Sequence, residues 1–320
     1  MQTSKLLRVG TRGSILAKTQ TQRLIDHVSK IRPDIQIETI VIKTTGDQKV
    51  EESLPRTLGK GLFTREIEDA LLAKEIDLAV HSLKDLPTIL PDGLTIGAIP
   101  GRESPFDAVI GNISVLENNP EKATVGTSSL RRAAQLRILY KGCQVVEFRG
   151  NLDTRLRKIE EGIADCAIVA VAGLNRLGQS NEIKKIFNHN EMLPAPAQGA
   201  LGIEIRNNDP ETSKLIQPIH SARTELCVSA ERIFQHQLGG GCQVPVAALA
   251  TISEGLLTLD GRVIALDGSR VVEGSISGHQ EDAAKIGSKL AKDLLQKGAG
   301  DILSDIREYL ADTEEELNRR

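Results

Sequence analysis

A chain of 320 residues, 40% hydrophobic and 26% charged, is long enough for about two or three domains with their own cores. A net charge of −3, with no Trp and only 2% aromatic residues, excludes a broad nucleic-acid footprint, which needs a basic surface and often stacking rings. No run approaches the roughly 20 apolar residues of a membrane helix, and Met1–Arg8 lacks the apolar core of a secretion signal, so the chain is expected in the cytoplasm and away from membranes.

Leu6–Val9 reads as a strand, Ile15–Ile31 as a helix and Ile35–Ile42 as a second strand, and the alternation continues through the first two thirds of the chain. Alternation of this kind builds βαβ units around a mostly parallel sheet. Lys43–Gly61 bears Gly and charge with weak periodicity and reads as a mobile loop. An internal echo follows. Val9-Gly10-Thr11-Arg12-Gly13-Ser14 resembles Val125-Gly126-Thr127-Ser128-Ser129-Leu130, and Glu75-Ile76-Asp77-Leu78-Ala79-Val80 resembles Ile163-Ala164-Asp165-Cys166-Ala167-Ile168, in the same order. Duplication of one α/β unit explains both pairs, although Gly-Thr and Asp-x-Ala are also common at strand-to-helix corners. Pro- and Gly-punctuated junctions at Ile99–Pro105 and Leu193–Gly199 read as hinges. After Pro218 the pattern changes to a helix over Ser221–Gln237, strands at Val246–Ala250 and Leu256–Ile264, and a helix over Ala283–Leu295, which together make a small α+β domain.

Arginines gather near the predicted strand ends, where open α/β sheets place their ligand crevices: Arg12, Arg131, Arg132, Arg149, Arg155 and Arg176. Helix N-termini at the same corners offer free N–H groups, and Ser14, Ser128 and Ser129 add hydroxyls. Any one of these arginines also reads as a solvated surface cation; the set points to a ligand with several anionic groups. With no Walker A pattern and no G-x-G-x-x-G after a strand, carboxylates are favoured over nucleotide phosphates. Asp85, in His81-Ser82-Leu83-Lys84-Asp85-Leu86-Pro87, falls just past a strand end. There it is either an ionised carboxylate that stabilises a developing cation or moves a proton, or a turn cap before Pro87.

Cys242 sits in Gly239-Gly240-Gly241-Cys242-Gln243-Val244-Pro245, too turn-like for a core element, and reads as a thiol presented on a tight loop or as a small buried hydrophobe. Cys143, Cys166 and Cys227 lie within apolar patterns and read as buried. The four cysteines show no CxxC pair and no His at ligand spacing, so neither a metal nor a disulfide framework is expected. Neither His81 nor His236 has a partner set of suitable spacing for a metal or triad, and His81 is assigned either a structural role or one supporting the residues that touch the ligand.

The motifs Thr11-Arg12-Gly13-Ser14, Gly59-Lys60-Gly61-Leu62-Phe63, His81-Ser82-Leu83-Lys84-Asp85, Gly126-Thr127-Ser128-Ser129-Leu130-Arg131-Arg132, Arg149-Gly150-Asn151 with Thr154-Arg155-Leu156, Pro196-Ala197-Gln198-Gly199-Ala200, Glu231-Arg232-Ile233-Phe234 and Leu238 to Pro245 stand in this order. Together they resemble the porphobilinogen deaminase (hydroxymethylbilane synthase) family from the first strand to the last domain. The resemblance implies a transferase that joins four porphobilinogen molecules head to tail with loss of ammonia, then releases the linear tetrapyrrole hydroxymethylbilane. It implies a dipyrromethane primer bound through a thioether to Cys242, with Lys84, Ser129, Arg131 and Arg132 on that cofactor. It makes Asp85 the catalytic acid group, and Arg12, Ser14, Lys60, Phe63, Ser82, Arg149, Arg155 and Arg176 the substrate contacts. Arg56 stands where some members carry lysine in the lid.

The implied fold is α/β with three domains. Two resemble periplasmic binding proteins, with mixed sheets forming a cleft, over residues 1–101 with 199–218 and residues 102–198; a small α+β domain over 219–320 bears the cofactor. A monomer acting on a small molecule, without nucleic acid or membrane, is the expected form. The competing reading is a non-enzymatic small-anion binding protein, since duplicated α/β lobes with hinges also describe solute receptors. A ligand-sensing regulator would need a helix-turn-helix segment, and none is apparent.

Overall fold

The computed structural model describes residues 6–45, 64–239 and 244–318, with side chains described as far as residue 313. Arg56, Lys60, Phe63 and Cys242, and most of the loop expected over Lys43–Gly61, lie outside the described residues. The chain divides into two compact units: Met1–Val50 with Gly61–Glu103 and Ala200–Glu225, and Glu51–Lys60 with Ser104–Gly199 and Leu226–Arg320.

Strands of the first unit are Leu6–Arg12 (β1), Gln36–Ile42 (β2), Leu78–Ser82 (β3), Leu94–Ala98 (β4) and Leu201–Arg206 (β10), in the order β2-β1-β3-β10-β4. β1 runs parallel to β2 and β3, whereas β10 is antiparallel to both β3 and β4. The sheet is therefore mixed. Alternation alone predicts a mostly parallel sheet; β10 departs from that because it re-enters from the second unit rather than through a βαβ crossover. Helix Ile15–Ile31 (α1) starts where the Ser14 hydroxyl accepts from the Ala17 N–H at 3.3 Å. Its buried face is Ala17, Gln20, Thr21, Leu24 and Val28, the three-and-four spacing of one helical stripe. Leu24 and Val28 pack with Leu7, Val9, Leu78, Val80, Ile203 and Ile205 of the sheet. Helix Arg65–Leu72 (α2) covers Ile76, Ala79 and Leu94 with Ile67 and Leu71, and Pro210–Ile216 (α7) follows β10.

The second unit repeats the plan. Its strands are Asp107–Gly111 (β5), Thr124–Gly126 (β6), Gln144–Val146 (β7), Cys166–Ala170 (β8) and Lys185–Ile186 (β9), in the order β7-β6-β8-β5-β9. β6 is parallel to β7 and β8, and β5 is antiparallel to β8 and β9, so β6, β7, β8, β5 and β9 match β1, β2, β3, β10 and β4 one for one. Helices Ile113–Asn118 (α3), Leu130–Leu139 (α4), Leu152–Glu160 (α5) and Val171–Leu177 (α6) link them.

The echoed residues do the same work in both sheets. The Arg8 N–H donates to Asp77 Oδ2 at 2.8 Å while the Asp77 N–H donates to the Arg8 carbonyl at 2.8 Å. Likewise the Thr124 N–H donates to Asp165 Oδ2 at 2.8 Å and the Asp165 N–H to the Thr124 carbonyl at 2.9 Å. The following glycines admit a core side chain: a Cβ on Gly10 would lie 2.3 Å from Ile76 Cδ1, and one on Gly126 would lie 2.5 Å from Phe148 Cγ. Shared hydrogen bonding, close approach and strand order make duplication the common cause, not chance corner composition.

The C-terminal part comprises Ala222–Gln237 (α8), an antiparallel sheet of Val246–Ser253 (β11), Leu256–Ile264 (β12) and Val271–His279 (β13) in the order β11-β12-β13, then Ala283–Leu294 (α9) and Gly300–Asn318 (α10). Ala283, Ile286, Leu290, Ala291 and Leu294 of α9 pack with Phe234 of α8 and with Leu257, Leu259 and Val263 of β12. This is the α+β arrangement that the alternating runs predict.

Candidate functional site

The predicted residues of the first unit lie at the ends of β1 and β3. Arg12 closes β1, Ser14 caps α1, Ser82 closes β3, and Lys84 and Asp85 lie on a single 3-10 turn, Leu83–Asp85. Buried apolar anchors hold this turn: Leu83 and Leu86 are sealed in the core, the Leu83 N–H donates to the Ala200 carbonyl at 3.0 Å, and the Leu86 N–H closes the turn on the Leu83 carbonyl at 3.3 Å. Gln20 of α1 donates its Nε2 to Ser82 Oγ at 3.0 Å, tying the helix face to the strand end. The exposed Asp85 caps no backbone N–H among the described residues, since the turn is closed by main-chain groups.

One residue behind Ser82, His81 is buried on β3 with its Nε2 2.8 Å from Glu204 Oε2 of β10, whose side chain is also fully buried. Glu68 of α2 is buried nearby, and its carboxyl is pushed up, first by burial and then by the charge of Glu204, against the opposing hydrogen bond of Thr64 and charge of His81. His81 thus has the structural place expected of it. Glu204 and Glu68, set in apolar strand and helix patterns, gave no sequence signal as its partners.

In the second unit the cations gather at the start of α4. Ser129 caps the helix, its hydroxyl accepting from the Arg132 N–H at 3.4 Å; Thr127 Oγ1 accepts from the Ser129 N–H at 3.2 Å, and Ser128 Oγ accepts from the Phe148 N–H at 3.0 Å. Arg131 and Arg132, only 5% and 6% exposed, flank the fully buried Asp107 at the start of β5. Arg132 donates Nε and Nη2 to Asp107 Oδ1 at 3.0 and 2.7 Å and Nη1 to the Ile168 carbonyl at 3.0 Å. Arg131 Nη1 lies 2.8 Å from Asp107 Oδ2 and donates to the Leu193 carbonyl at 2.9 Å. The two guanidiniums hold the Asp107 carboxyl well below the usual carboxylate range despite its burial. Surface solvation is therefore excluded for this pair, and for Arg176, which is buried on α6 and donates to the Gly199 carbonyl at 2.6 Å.

Arg149 and Arg155 are half-buried around Gly150. Arg149 Nε donates to Glu147 Oε1 at 2.7 Å, and Arg155 Nε to the Gly150 carbonyl at 3.0 Å, while Asn151 caps α5 by accepting from the Thr154 N–H at 2.9 Å. Gly150 has φ +116°, a conformation that only glycine adopts freely, so the Arg149-Gly150-Asn151 corner needs that residue. Six predicted residues thus fall in this unit, Ser129, Arg131, Arg132, Arg149, Arg155 and Arg176, and four described ones with Asp85 in the first: Arg12, Ser14, Ser82 and Lys84.

Cys143, Cys166 and Cys227 are buried; burial pushes the Cys143 thiol up and the Cys166 thiol up to about 12, which disfavours the thiolate at both. Cys242 lies beyond the described residues, but both chain ends that lead to it are fixed. On one side α8 ends in a turn where the Gly239 N–H donates to the His236 carbonyl at 2.9 Å and Arg307 Nη2 of α10 donates to the Leu238 carbonyl at 3.1 Å; on the other, the Ile264 N–H donates to the Pro245 carbonyl at 3.3 Å.

Sequence reasoning missed three acids and an amide that organise these residues: Asp107, Glu204, Glu231 and Gln198. Glu231, fully buried on α8, accepts from the Ala197 N–H at 2.6 Å and from the Ala250 N–H at 2.7 Å. The available signals were the placement of Asp107 and Gln198 beside the two Pro-marked junctions and the presence of Gln198 and Glu231 within the ordered motifs, neither of which names their partners.

A family profile described as "Porphobilinogen deaminase, dipyromethane cofactor binding domain" matches residues 7–214, and one described as "Porphobilinogen deaminase, C-terminal domain" matches residues 225–296. A porphobilinogen deaminase of Syntrophobacter fumaroxidans is 44% identical over 305 residues, covering 95% of this chain and 99% of the relative. One from Desulforudis audaxviator is 47% identical over 300 residues, covering 93% and 97%, and one from Carboxydothermus hydrogenoformans is 45% identical over 301 residues, covering 93% and 96%.

Proposed function

We propose, from the premise that the chain belongs to the porphobilinogen deaminase family, that it is a hydroxymethylbilane synthase that condenses four porphobilinogen molecules head to tail with release of ammonia. The observation that carries the reading to this chain's own residues is the buried Arg131–Arg132 pair at a helix N-terminus, with a single carboxylate between them. Cofactor and substrate pyrroles both carry acetate and propionate groups. A site with more buried cations than buried acids, flanked by hydroxyls, fits that chemistry.

When bound through Cys242, the dipyrromethane supplies the terminal pyrrole to which the first porphobilinogen is joined. In this reading Arg131, Arg132, Ser129 and Lys84 hold cofactor carboxylates. Arg12, Arg149, Arg155 and Arg176, with Ser14 and Ser82, take the carboxylates of the incoming and added rings, and Lys60 and Phe63 contact the incoming ring. In this reading Asp85, on a turn held by the buried Leu83 and Leu86, sets its carboxylate against the substrate's ring nitrogen, which gains positive charge as ammonia leaves. A fixed carboxylate stabilises that charge without first having to reorganise, and in the same reading it accepts the proton the new ring must lose.

The same reading assigns residues 1–101 with 199–218, 102–198 and 219–320 to three domains, supported by a sheet in each. It takes the protein as a cytoplasmic monomer acting without nucleic acid or membrane; the net charge of −3 speaks against a nucleic-acid footprint, and among the described residues no helix is long and apolar enough to cross a membrane. The test is intact mass with turnover. The purified protein should be heavier than its chain by two linked pyrrole units and should convert porphobilinogen to hydroxymethylbilane and ammonia. Cys242→Ser should lose both the adduct and the activity. An adduct retained at another residue would remove Cys242 from the proposal, and absence of both adduct and turnover in the wild type would remove the reading itself.

A further inference from the structure

Asp107 opens β5 immediately after the first Pro-marked junction, and no part of it reaches solvent. Its two oxygens are held differently, and only Oδ1 is hydrogen-bonded among the described residues. Oδ1 accepts from Arg132 Nε and Nη2 and from Gln198 Nε2, the last at 2.9 Å, while Oδ2 faces Arg131 Nη1 at 2.8 Å. Gln198, itself fully buried, also donates to the Pro105 carbonyl at 2.7 Å, so its amide locks the carboxylate in one rotamer.

The count of charges does not close. Two guanidiniums meet one carboxylate; their other described partners, the Ile168 and Leu193 carbonyls, are neutral. Among the described residues no second acid forms an ion pair with either arginine. Burial accordingly pulls the Arg131 guanidinium below its ordinary value, with Arg132 adding to the effect and Asp107 opposing it. A buried net charge is costly unless something neutralises it. With a neutral residue in place of one arginine the two remaining charges would balance and the fold would be easier to hold, so the surplus charge has a use outside the apo fold.

We propose that Asp107 is a positioning residue: it orients Arg131 and Arg132 and cancels only one of their two charges, leaving the site one carboxylate short, and a carboxylate of the bound dipyrromethane completes it. This rests on the preceding reading, in which that cofactor is the ligand of these arginines. An aspartate serves where a second acid would not. Cancelling both charges would remove the attraction for the ligand, and cancelling neither would leave the arginines to repel each other.

The consequence is a dependence of Asp107's contribution on whether the ligand is present. Melting temperatures are measured for four proteins: wild type and Asp107→Asn with the adduct, and each in the Cys242→Ser background without it, with intact mass confirming the state of each. Asp107→Asn keeps the size of the side chain and raises the buried surplus from one charge to two. It should lower the melting temperature of the adduct-free form by at least about 5 °C more than that of the loaded form, because only the loaded form supplies a counter-charge. Equal losses in the two forms, with the adduct present, would make Asp107 a purely structural residue and overturn the proposal. A wild type without adduct would instead remove the preceding reading, and this proposal with it. Should Asp107→Asn not fold without the adduct, Asp107→Asn with Arg131→Gln restores the original surplus of one. That double variant should fold in the Cys242→Ser background, and its failure to do so while Cys242→Ser alone folds would also overturn the charge count.

Discussion

Glu231 holds the second junction to the C-terminal sheet, and replacing it by Gln isolates that function. Its Oε2 accepts from the Ala197 N–H at 2.6 Å and its Oε1 from the Ala250 N–H at 2.7 Å, and its side chain is fully buried. Ala197 has φ +61°, a left-handed conformation that a residue with a Cβ adopts at a cost of about 1 kcal/mol, so the junction is held against its own preference. A carboxamide has one oxygen. In Glu231→Gln one of the two backbone donors must face an NH2 group, losing a charge-assisted bond and leaving a buried N–H without an acceptor, for a total of about 3 kcal/mol. At about 2–4 °C per kcal/mol for a unit of this size, the melting temperature should fall by about 6–12 °C. Thermal unfolding followed by circular dichroism measures this directly. Glu231→Gln melting within about 2 °C of the wild type would refute the argument, because the two donors would then have other acceptors. Ala197→Gly checks the second part: relieving the positive φ should raise stability by about 0.5–1 kcal/mol with Glu231 present.

Asp85→Asn should keep the adduct and lose nearly all turnover while melting within about 0.5 kcal/mol of the wild type, since Asp85 is exposed and caps no described backbone group; normal turnover measured with porphobilinogen would return Asp85 to an ordinary turn residue. Glu68 gives a pH dependence. Burial raises its carboxyl above its ordinary value of 4.5, so its contribution is complete below that value and is lost as pH rises through the raised one. Melting temperature followed upward from about pH 4.5 should therefore decline less in Glu68→Gln than in the wild type, and parallel curves would contradict the assignment. Gly126→Ala would place a Cβ 2.5 Å from a ring carbon of Phe148, which is rigid and fully buried, and should cost about 1–3 kcal/mol in denaturant unfolding. Gly10→Ala meets the terminal methyl of Ile76, which can rotate away, and should cost less. The reverse order would mean that Phe148 has room to move.

The duplicated architecture was legible because it is written in short-range terms. Gly10 and Gly126 must be glycine for Ile76 and Phe148 to pass, and Asp77 and Asp165 must follow a helix end to bond back to the first strand. Such requirements leave fixed spacings in the sequence. The arginines were legible as a set from their places at strand ends, but their burial was not. Arg132 finds its carboxylate 25 residues away, and Glu231 finds Ala197 34 residues away, across elements whose packing no local pattern encodes. A lone Asp after a Pro-Phe junction reads as a turn residue, and a Glu in a charged helix reads as solvated. Only the tertiary structure distinguishes Asp107 and Glu231 from those ordinary cases. Cys242 differs again: Gly239 to Pro245 reads as a turn, but nothing in that spacing by itself says whether the thiol bears a group.

The insertion of β10 between β3 and β4 sets an order of assembly during synthesis. β4 pairs only with β10 in its sheet, so the first sheet stays open from residue 98 until residue 206 has been made. The second sheet draws all five strands from Asp107 to Ile186 and has no such debt to later chain. As the chain leaves the ribosome, the five-stranded sheet that begins first is therefore the later of the two to close, and until it does the edges of β3 and β4 stand exposed. A chain cut short at the second junction would leave a complete second sheet attached to a permanently unfinished first one.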